Sequence, residues 1–168
     1  MAIEHQYIRF LDGPDLEPLD RGISTEVSGA ALRAPRPCEV DTLHEIYLDA
    51  FSTRTTAPLD GPTWIRKWPL HHLCVLDHSV IAFTGDTAIG YLLAYLDEDF
   101  PGEGIIGQLG VRTANRRQGV ASAMVIAALR GFETLGLSCA TLSVAPDNTS
   151  AIRSYEQLGF ARKPSDQR

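Results

Sequence analysis

No apolar run in the chain approaches the roughly 20 residues that a helix needs to span a bilayer. The opening MAIEHQYIRF has no basic stretch leading into an apolar one, so no secretory signal is expected. Cysteine is scarce. Cys38, Cys74 and Cys139 are isolated and odd in number, which argues against a disulfide framework and for reduced thiols in a cytoplasmic protein. Basic residues are outnumbered, 15 Lys and Arg against 21 Asp and Glu. The formal net charge of −6 speaks against nucleic acid as the main partner, and the lack of a long apolar run against a membrane. There is no internal repeat and no low-complexity tract. A Walker A loop is absent, and so is the dinucleotide pattern GxGxxG. What is present is an ordinary globular composition, 44% hydrophobic and 21% charged. Its 168 residues suit one sizeable domain.

The chain divides into an N-terminal arm, residues 1–27, and a main domain, residues 28–168. In the arm, EHQYIRFL has the aromatic and β-branched content of a short strand. LDGPDLEPLDRG, rich in Asp, Pro and Gly, reads as a linker. In the domain, GAALRAP reads as a strand closed by Pro35. EVDTLHEIYLDAF places Val40, Leu43, Tyr47 and Ala50 at helical spacing. Asp60 and Pro62 open a second short helix. SVIAFTGDTAIGYLLAYL is two apolar runs around Gly85-Asp86, a hairpin signal. EGIIGQLGV is a strand whose glycines mark a bulge or the close approach of a ligand. Val120 to Leu135 is an amphipathic helix stopped by Gly136. CATLSVA is a strand, and Asn148 to Leu158 a last helix capped by Asp147-Asn148 and ended by Gly159. The fold class is α+β, a mixed α/β single domain.

NRRQGVASAM, from Asn115 to Met124, stands where a strand gives way to a helix. The first N–H groups of a helix lack intrahelical partners and carry partial positive charge, so this end suits a phosphate. Gly119 and Ala121 keep bulk away, and Arg116 and Arg117 add cationic donors. Spacing alone leaves a phosphate cradle and a plain basic helix start equally open. In LSVAPDNTSAIRSYEQLGF, Tyr155 shares a helix face with Ala151 and Leu158. Its residue type favours a core aromatic. Its hydroxyl needs a partner when buried, however, and with an ordinary pKa of about 10 it can serve as a proton donor.

Taken together, the two segments resemble the GNAT superfamily of acetyl-CoA-dependent N-acetyltransferases. Arg116, Gly119 and Ala121 stand at the marked places of its acyl-CoA signature. Asn148, Tyr155 and Gly159-Phe160 stand in register with its C-terminal motif. The resemblance covers roughly Ala31 to Phe160. LRAPRPCEVDTLHEIYLDAF and the Pro-rich arm also resemble the second domain of actinobacterial two-domain GNAT proteins of the mycothiol synthase kind.

The resemblance implies a splayed mixed sheet with acetyl-CoA in the opening between the strands that end near Val111 and Ala145. Backbone N–H groups of Arg117, Gln118, Gly119, Val120, Ala121 and Ser122 would hold the pyrophosphate. The backbone of Leu109, Gly110 and Val111 would line the pantetheine arm. A bulge around Leu109-Gly110 would aim an N–H at the thioester carbonyl, which makes Leu109 a catalytic position through its backbone. Asn148 would contact the pantetheine or fix the last helix. Tyr155 would protonate the leaving thiolate.

The family's base positions are empty. Ile105 and Gly107 stand where other members place a carboxylate or histidine, and Ser143 stands on the following strand. Asp97, Glu98, Asp99 and Glu103 are left to act through water, or simply to form a solvated acidic loop. His71, His72, Cys74 and His78 fit no usual zinc spacing, so no metal is expected. The tail after Phe160 is too short for the family's closing hairpin. EHQYIRFL is therefore expected to fill the gap, within one molecule or across a homodimer. The implied function is acetyl transfer to a primary amine of a small molecule or peptide, by direct attack in a ternary complex. A non-acetylating acyl-CoA-binding domain and transfer of a different acyl group remain as alternatives.

Overall fold

The structure, a computed structural model, describes residues 4–11, 29–53 and 56–164. Most of the stretch read as a linker lies outside those residues. The elements run β1 (His5–Phe10), β2 (Ala30–Arg33), α1 (Val40–Ala50), α2 (Gly61–Lys67), β3 (Val80–Thr84), β4 (Thr87–Leu96), β5 (Glu103–Val111), α3 (Val120–Thr134), β6 (Cys139–Val144), α4 (Thr149–Gln157) and β7 (Ala161–Arg162). The strands form one mixed sheet in the order β2-β3-β4-β5-β6-β1-β7.

Strand β4 sits near the middle, and Ala88 to Tyr95 are all buried. This explains its near-continuous apolar run, since a strand covered on both faces has no polar side to show. On one face it meets α3, through Met124, Leu129 and Phe132. On the other it meets α1 and α2, through Leu43, Ile46 and Trp64. Trp64 is fully buried, and truncating such a side chain to Ala costs about 3–5 kcal/mol.

Two features of β5 position the site. First, its register against β4 shifts, so that Leu93 faces Gln108 and Ala94 faces Ile106. The unpaired extra residue is Gly107. The bulge expected at Leu109-Gly110 therefore lies earlier, at Gly107. The glycines serve the protein's own packing: a Cβ at Gly107 would lie 2.4 Å from the Tyr95 ring, and one at Gly110 would lie 2.8 Å from the Tyr91 ring. Second, β5 runs parallel to β6 only from the pair Glu103/Cys139 to the pair Ile106/Leu142. Beyond Ile106 the two strands part.

Strand β1 lies beside β6, as expected for EHQYIRFL. It pairs antiparallel with β6 over six residue pairs, from His5/Val144 to Phe10/Cys139, within the same chain. A two-residue β7 then pairs with the outer side of β1, not with β6. No strand was expected after Phe160, so β7 is an addition to that reading. Arg9 of β1 is buried and donates from Nη1 to the carbonyl of Leu158, the last cap of α4. A guanidinium there suits the partial negative charge of a helix C-terminus. Burial lowers its pKa, partly offset by Glu133. The arm far from α4 in sequence therefore anchors it in space.

Candidate active site

Where β5 and β6 part, a cleft of about 590 Å³ opens. Leu109, Gly110 and Val111 form one wall, the turn before α3 forms the floor, and α4 forms the opposite wall. Antiparallel ladders alternate between residues bonded to the partner strand and residues whose N–H and C=O face away. Arg112 donates to the Ile89 carbonyl at 2.8 Å, and Gly110 and Gln108 follow the same parity. Leu109 and Val111 therefore turn their backbone groups away from β4, toward the opening. The bulge precedes Leu109, and it sets this parity.

The turn is shaped by its backbone. Arg117 (φ 59°) and Gly119 (φ 78°) are left-handed, and Gln118 between them is not. Alternating handedness of this kind turns successive N–H groups into an anion-binding concavity. A left-handed arginine is strained by roughly 1–3 kcal/mol and persists only where the surroundings impose it. The imposing contacts come from α1. The N–H and hydroxyl of Thr113 donate to Asp49 Oδ1 at 3.1 and 2.8 Å. These bonds, with nearby Arg112, hold the Asp49 carboxyl below its usual pKa. Arg116 donates from Nη2 to the Ala50 carbonyl and from Nε to the Val111 carbonyl.

Helix α3 begins with Gly119 as its cap residue and no side-chain cap. Its first N–H groups open into the cleft beside Val120, Ala121 and Ser122. Helix α4 begins on the other side, capped by Asn148, whose Oδ1 accepts from the Ala151 N–H at 3.3 Å. Of the two roles read for Asn148, fixing the last helix is the one this bond performs, although the residue also lines the cleft. Tyr155 lines the same cleft, its ring edge-on to Phe160 at 6.0 Å. Burial raises the pKa of its hydroxyl, which keeps the proton in place.

The structure brings eleven of the twelve sequence-derived positions to this cleft; Gln118 is the exception. Its side chain turns back to the Ala114 carbonyl at 3.5 Å. Arg116 is a clamp on α1 and β5 as well as a lining residue. Ala50, Phe51 and Thr53, at the end of α1, line the cleft and were not foreseen. No local pattern marks them, because only packing brings α1 there. Ser154 was also missed, though its place one residue before Tyr155 on the same helix could have flagged it.

The acidic residues lie elsewhere. Asp97 holds its own loop, accepting from the N–H groups of Asp99 and Phe100 at 2.8 and 3.0 Å. Glu103 accepts from the Thr141 hydroxyl at 2.6 Å at the closed end of the strands. Leu109 is six positions further along β5, about 20 Å away at the rise of a strand. A water-mediated base at Glu103 is therefore out of reach of the cleft. Among the described residues, no group of three or more His, Cys, Asp or Glu side chains could hold a metal ion. No helix among them is long and apolar enough to cross a membrane.

The cleft thus lies in the opening of a splayed mixed sheet, with the uncapped start of α3 at its floor. The sequence model of the acetyltransferase (GNAT) family matches residues 40–160. The chain belongs to that family. It is 22% identical over 163 residues to an L-2,4-diaminobutyric acid acetyltransferase of Nocardia farcinica, covering 92% of this chain and 81% of that protein. It is 40% identical over 65 residues to a mycothiol acetyltransferase of Streptomyces avermitilis, but covers only 21% of that protein. Among solved structures, a GCN5-related N-acetyltransferase from Sphaerobacter thermophilus aligns with a TM-score of 0.74 at 22% identity, covering 97% of this chain and 50% of that one. A diaminobutyrate acetyltransferase from Paenibacillus lautus, crystallised with its substrate and coenzyme A, aligns at 0.61 and 20% identity, covering 76% of this chain and 73% of that one. At these identities the structural likeness establishes the fold.

Proposed function

We propose that this protein transfers an acetyl group from acetyl-CoA to a primary amine, by direct attack in a ternary complex. The observation that carries the reading is a convergence. The uncapped start of α3, the outward-facing backbone of Leu109 and Val111, and the half-buried Tyr155 all face one cleft. The N–H groups from Arg117 to Ser122 suit a diphosphate, and the outward edge of β5 suits an amide-bearing arm laid alongside it as an added strand would be. Bound acetyl-CoA supplies the activated thioester. The Leu109 N–H stabilises the charge that builds on the thioester oxygen. As the carbon–sulfur bond breaks, Tyr155, its proton retained by burial, donates it to the departing sulfur, and the proton shed by the acylated nitrogen passes to solvent.

The chain supplies no carboxylate or imidazole at Ile105 or Gly107. That favours, as a second reading, a domain that binds an acyl-CoA without transferring it. A different acyl group on the same carrier is a third. The name of the Nocardia farcinica relative makes L-2,4-diaminobutyric acid the first acceptor to assay. Release of CoA, followed by chromatography across a panel of amines, separates the readings. Acceptor-dependent release supports transfer. Tight CoA binding by calorimetry with no release on any amine supports the binding domain. Mass spectrometry of the product identifies the acyl group.

A further inference from the structure

Between the bulge at Gly107 and the cleft wall at Leu109 stands one polar side chain, Gln108. It faces Leu93 across the ladder and so lies on the α1–α2 side of the sheet, with Tyr91 and Tyr95. Its Oε1 accepts two hydrogen bonds at once, from Trp64 Nε1 at 3.0 Å and from the Tyr91 hydroxyl at 2.6 Å. Trp64 and Tyr91 are both fully buried. An indole nitrogen can only donate, so it fixes which end of the carboxamide points inward. The oxygen is held by the core, and the NH₂ group is the other end of a partly exposed side chain that adjoins the cleft wall at Leu109 without being among the residues lining the cleft. Gln108 is partly exposed, and Gly107 beside it is exposed. Among the described residues, Nε2 has no hydrogen-bond partner, and Ile105, the same-face residue on the other side of the bulge, is apolar.

Of the two side chains that flank the bulge on this face, Gln108 offers N–H donors and Ile105 offers neither an acceptor nor a base. The oxygen already holds two donors from the protein. Such a locked donor selects for an oxygen atom, since an ammonium or alkyl group gains nothing from it and leaves it unpaired. We infer that Gln108 is a specificity residue for the amine acceptor. Its Nε2 binds a carboxylate or carbonyl oxygen carried near the attacking nitrogen. The acceptor is then an amino acid or peptide-like amine, not a bare alkylamine. The inference rests on the reading that this cleft performs acyl transfer.

The test is a ¹⁵N-resolved NMR titration of the CoA-saturated protein, with the Gln108 side-chain NH₂ signal assigned by its loss in Gln108→Glu. The probes are L-ornithine, L-lysine and 4-aminobutyrate, each paired with its decarboxylated counterpart putrescine, cadaverine or propylamine. The expected result is a saturable shift of that signal with the amino acids and none with the amines. In Gln108→Glu, whose carboxylate still accepts from Trp64 and Tyr91 but cannot donate, affinity for the amino acids falls at least about tenfold while that for the amines does not. An unmoved Trp64 indole signal in the variant reports that the lock is intact. Equal shifts in both series, or none in either, overturn the inference. So does a shift produced by acetyl-CoA over CoA alone and by no amino acid, which assigns the donor to the thioester carbonyl. If CoA leaves the backbone amides from Arg117 to Ser122 unmoved, the acyl-transfer reading itself falls and this inference falls with it.

Discussion

The starts of α3 and α4 face each other across one cleft and are finished in opposite ways. Helix α4 closes on itself: Asn148 supplies the oxygen that its first turn lacks. Helix α3 begins at a left-handed glycine with no capping side chain. Each arrangement leaves a mark on the remaining residues. A capped start has spent one of its free donors and can present other groups, such as Tyr155. An uncapped start keeps its donors and its share of the helix dipole for whatever enters the cleft. Under the proposed function the difference is one of use: α4 serves stability and a proton, α3 an anion.

The comparison breaks most visibly at Tyr155. If α4 serves chemistry, Tyr155→Phe lowers kcat by about 10²–10⁴-fold with acetyl-CoA affinity nearly unchanged. Turnover equal to wild type, measured where chemistry limits the rate, would make Tyr155 a packing residue and α4 a plain wall. Because burial raises its pKa, Tyr155 keeps its proton past the ordinary value of about 10. No loss of kcat from its ionisation is therefore expected as pH rises toward that value.

Next in size is Gly119→Val. A β-branched residue resists φ 78°, and its bulk would crowd the donors of α3. Losing a phosphate contact or two, at about 1.5–3 kcal/mol each for charge-assisted bonds, weakens CoA binding on the order of 100-fold. Calorimetry on the folded variant decides it. Unchanged affinity would show that the uncapped start is not where the phosphates rest.

Asn148→Ala sharpens the contrast from the other side. Removing a cap costs about 0.5–2 kcal/mol of stability, seen as a lower denaturant midpoint. CoA affinity should change far less than in Gly119→Val. A loss of CoA binding as large as that of the glycine variant would erase the distinction between the two helix starts.

The smallest effect is a control remote from both. Arg33 and Glu39 form an ion pair with oxygens at 2.5 and 2.8 Å from the guanidinium. It pulls the Glu39 pKa from an ordinary 4.5 to about 2. A carboxyl lowered in the folded state stabilises above its unfolded pKa and ceases to do so as pH falls. Glu39→Gln should thus cost up to about 1 kcal/mol at neutral pH, since the pair is partly exposed. The difference should vanish as pH drops from 4.5 to about 2. CoA binding at neutral pH should be unaffected. A drop in CoA affinity would mean that general destabilisation alone mimics the effects assigned to α3 and α4.

Much of this was legible in the chain. The periodicities of Val40–Ala50 and Val120–Thr134, the Gly85-Asp86 hairpin and the caps at Asp60 and Asn148 are local signals, and the elements formed where those signals stood. The RRQGVA turn and Tyr155 were legible as candidates because of their residue types, and the fold brings them to one cleft. The bulge was expected two to three residues late. Both Gly107 and Gly110 could have hosted it, and only pairing with β4 chose Gly107. The acidic loop looked usable because sequence distance hides that a strand carries its residues about 3.3 Å apart in a straight line.

By itself, then, the sequence determined what each segment becomes: helix, strand or turn follows from side-chain spacing and from the few residues tolerant of special backbone angles. It also determined the chemical inventory of the site. Tertiary structure alone decided where those segments meet. Asp49 and Ala50 of α1 hold the turn before α3. The distant β1 fills the edge beside β6, and its Arg9 secures the end of α4. Trp64 and Tyr91 orient Gln108. Each of these contacts joins residues far apart in the chain. Their formation depends on burying surface shared by several elements at once, which no single stretch of sequence encodes.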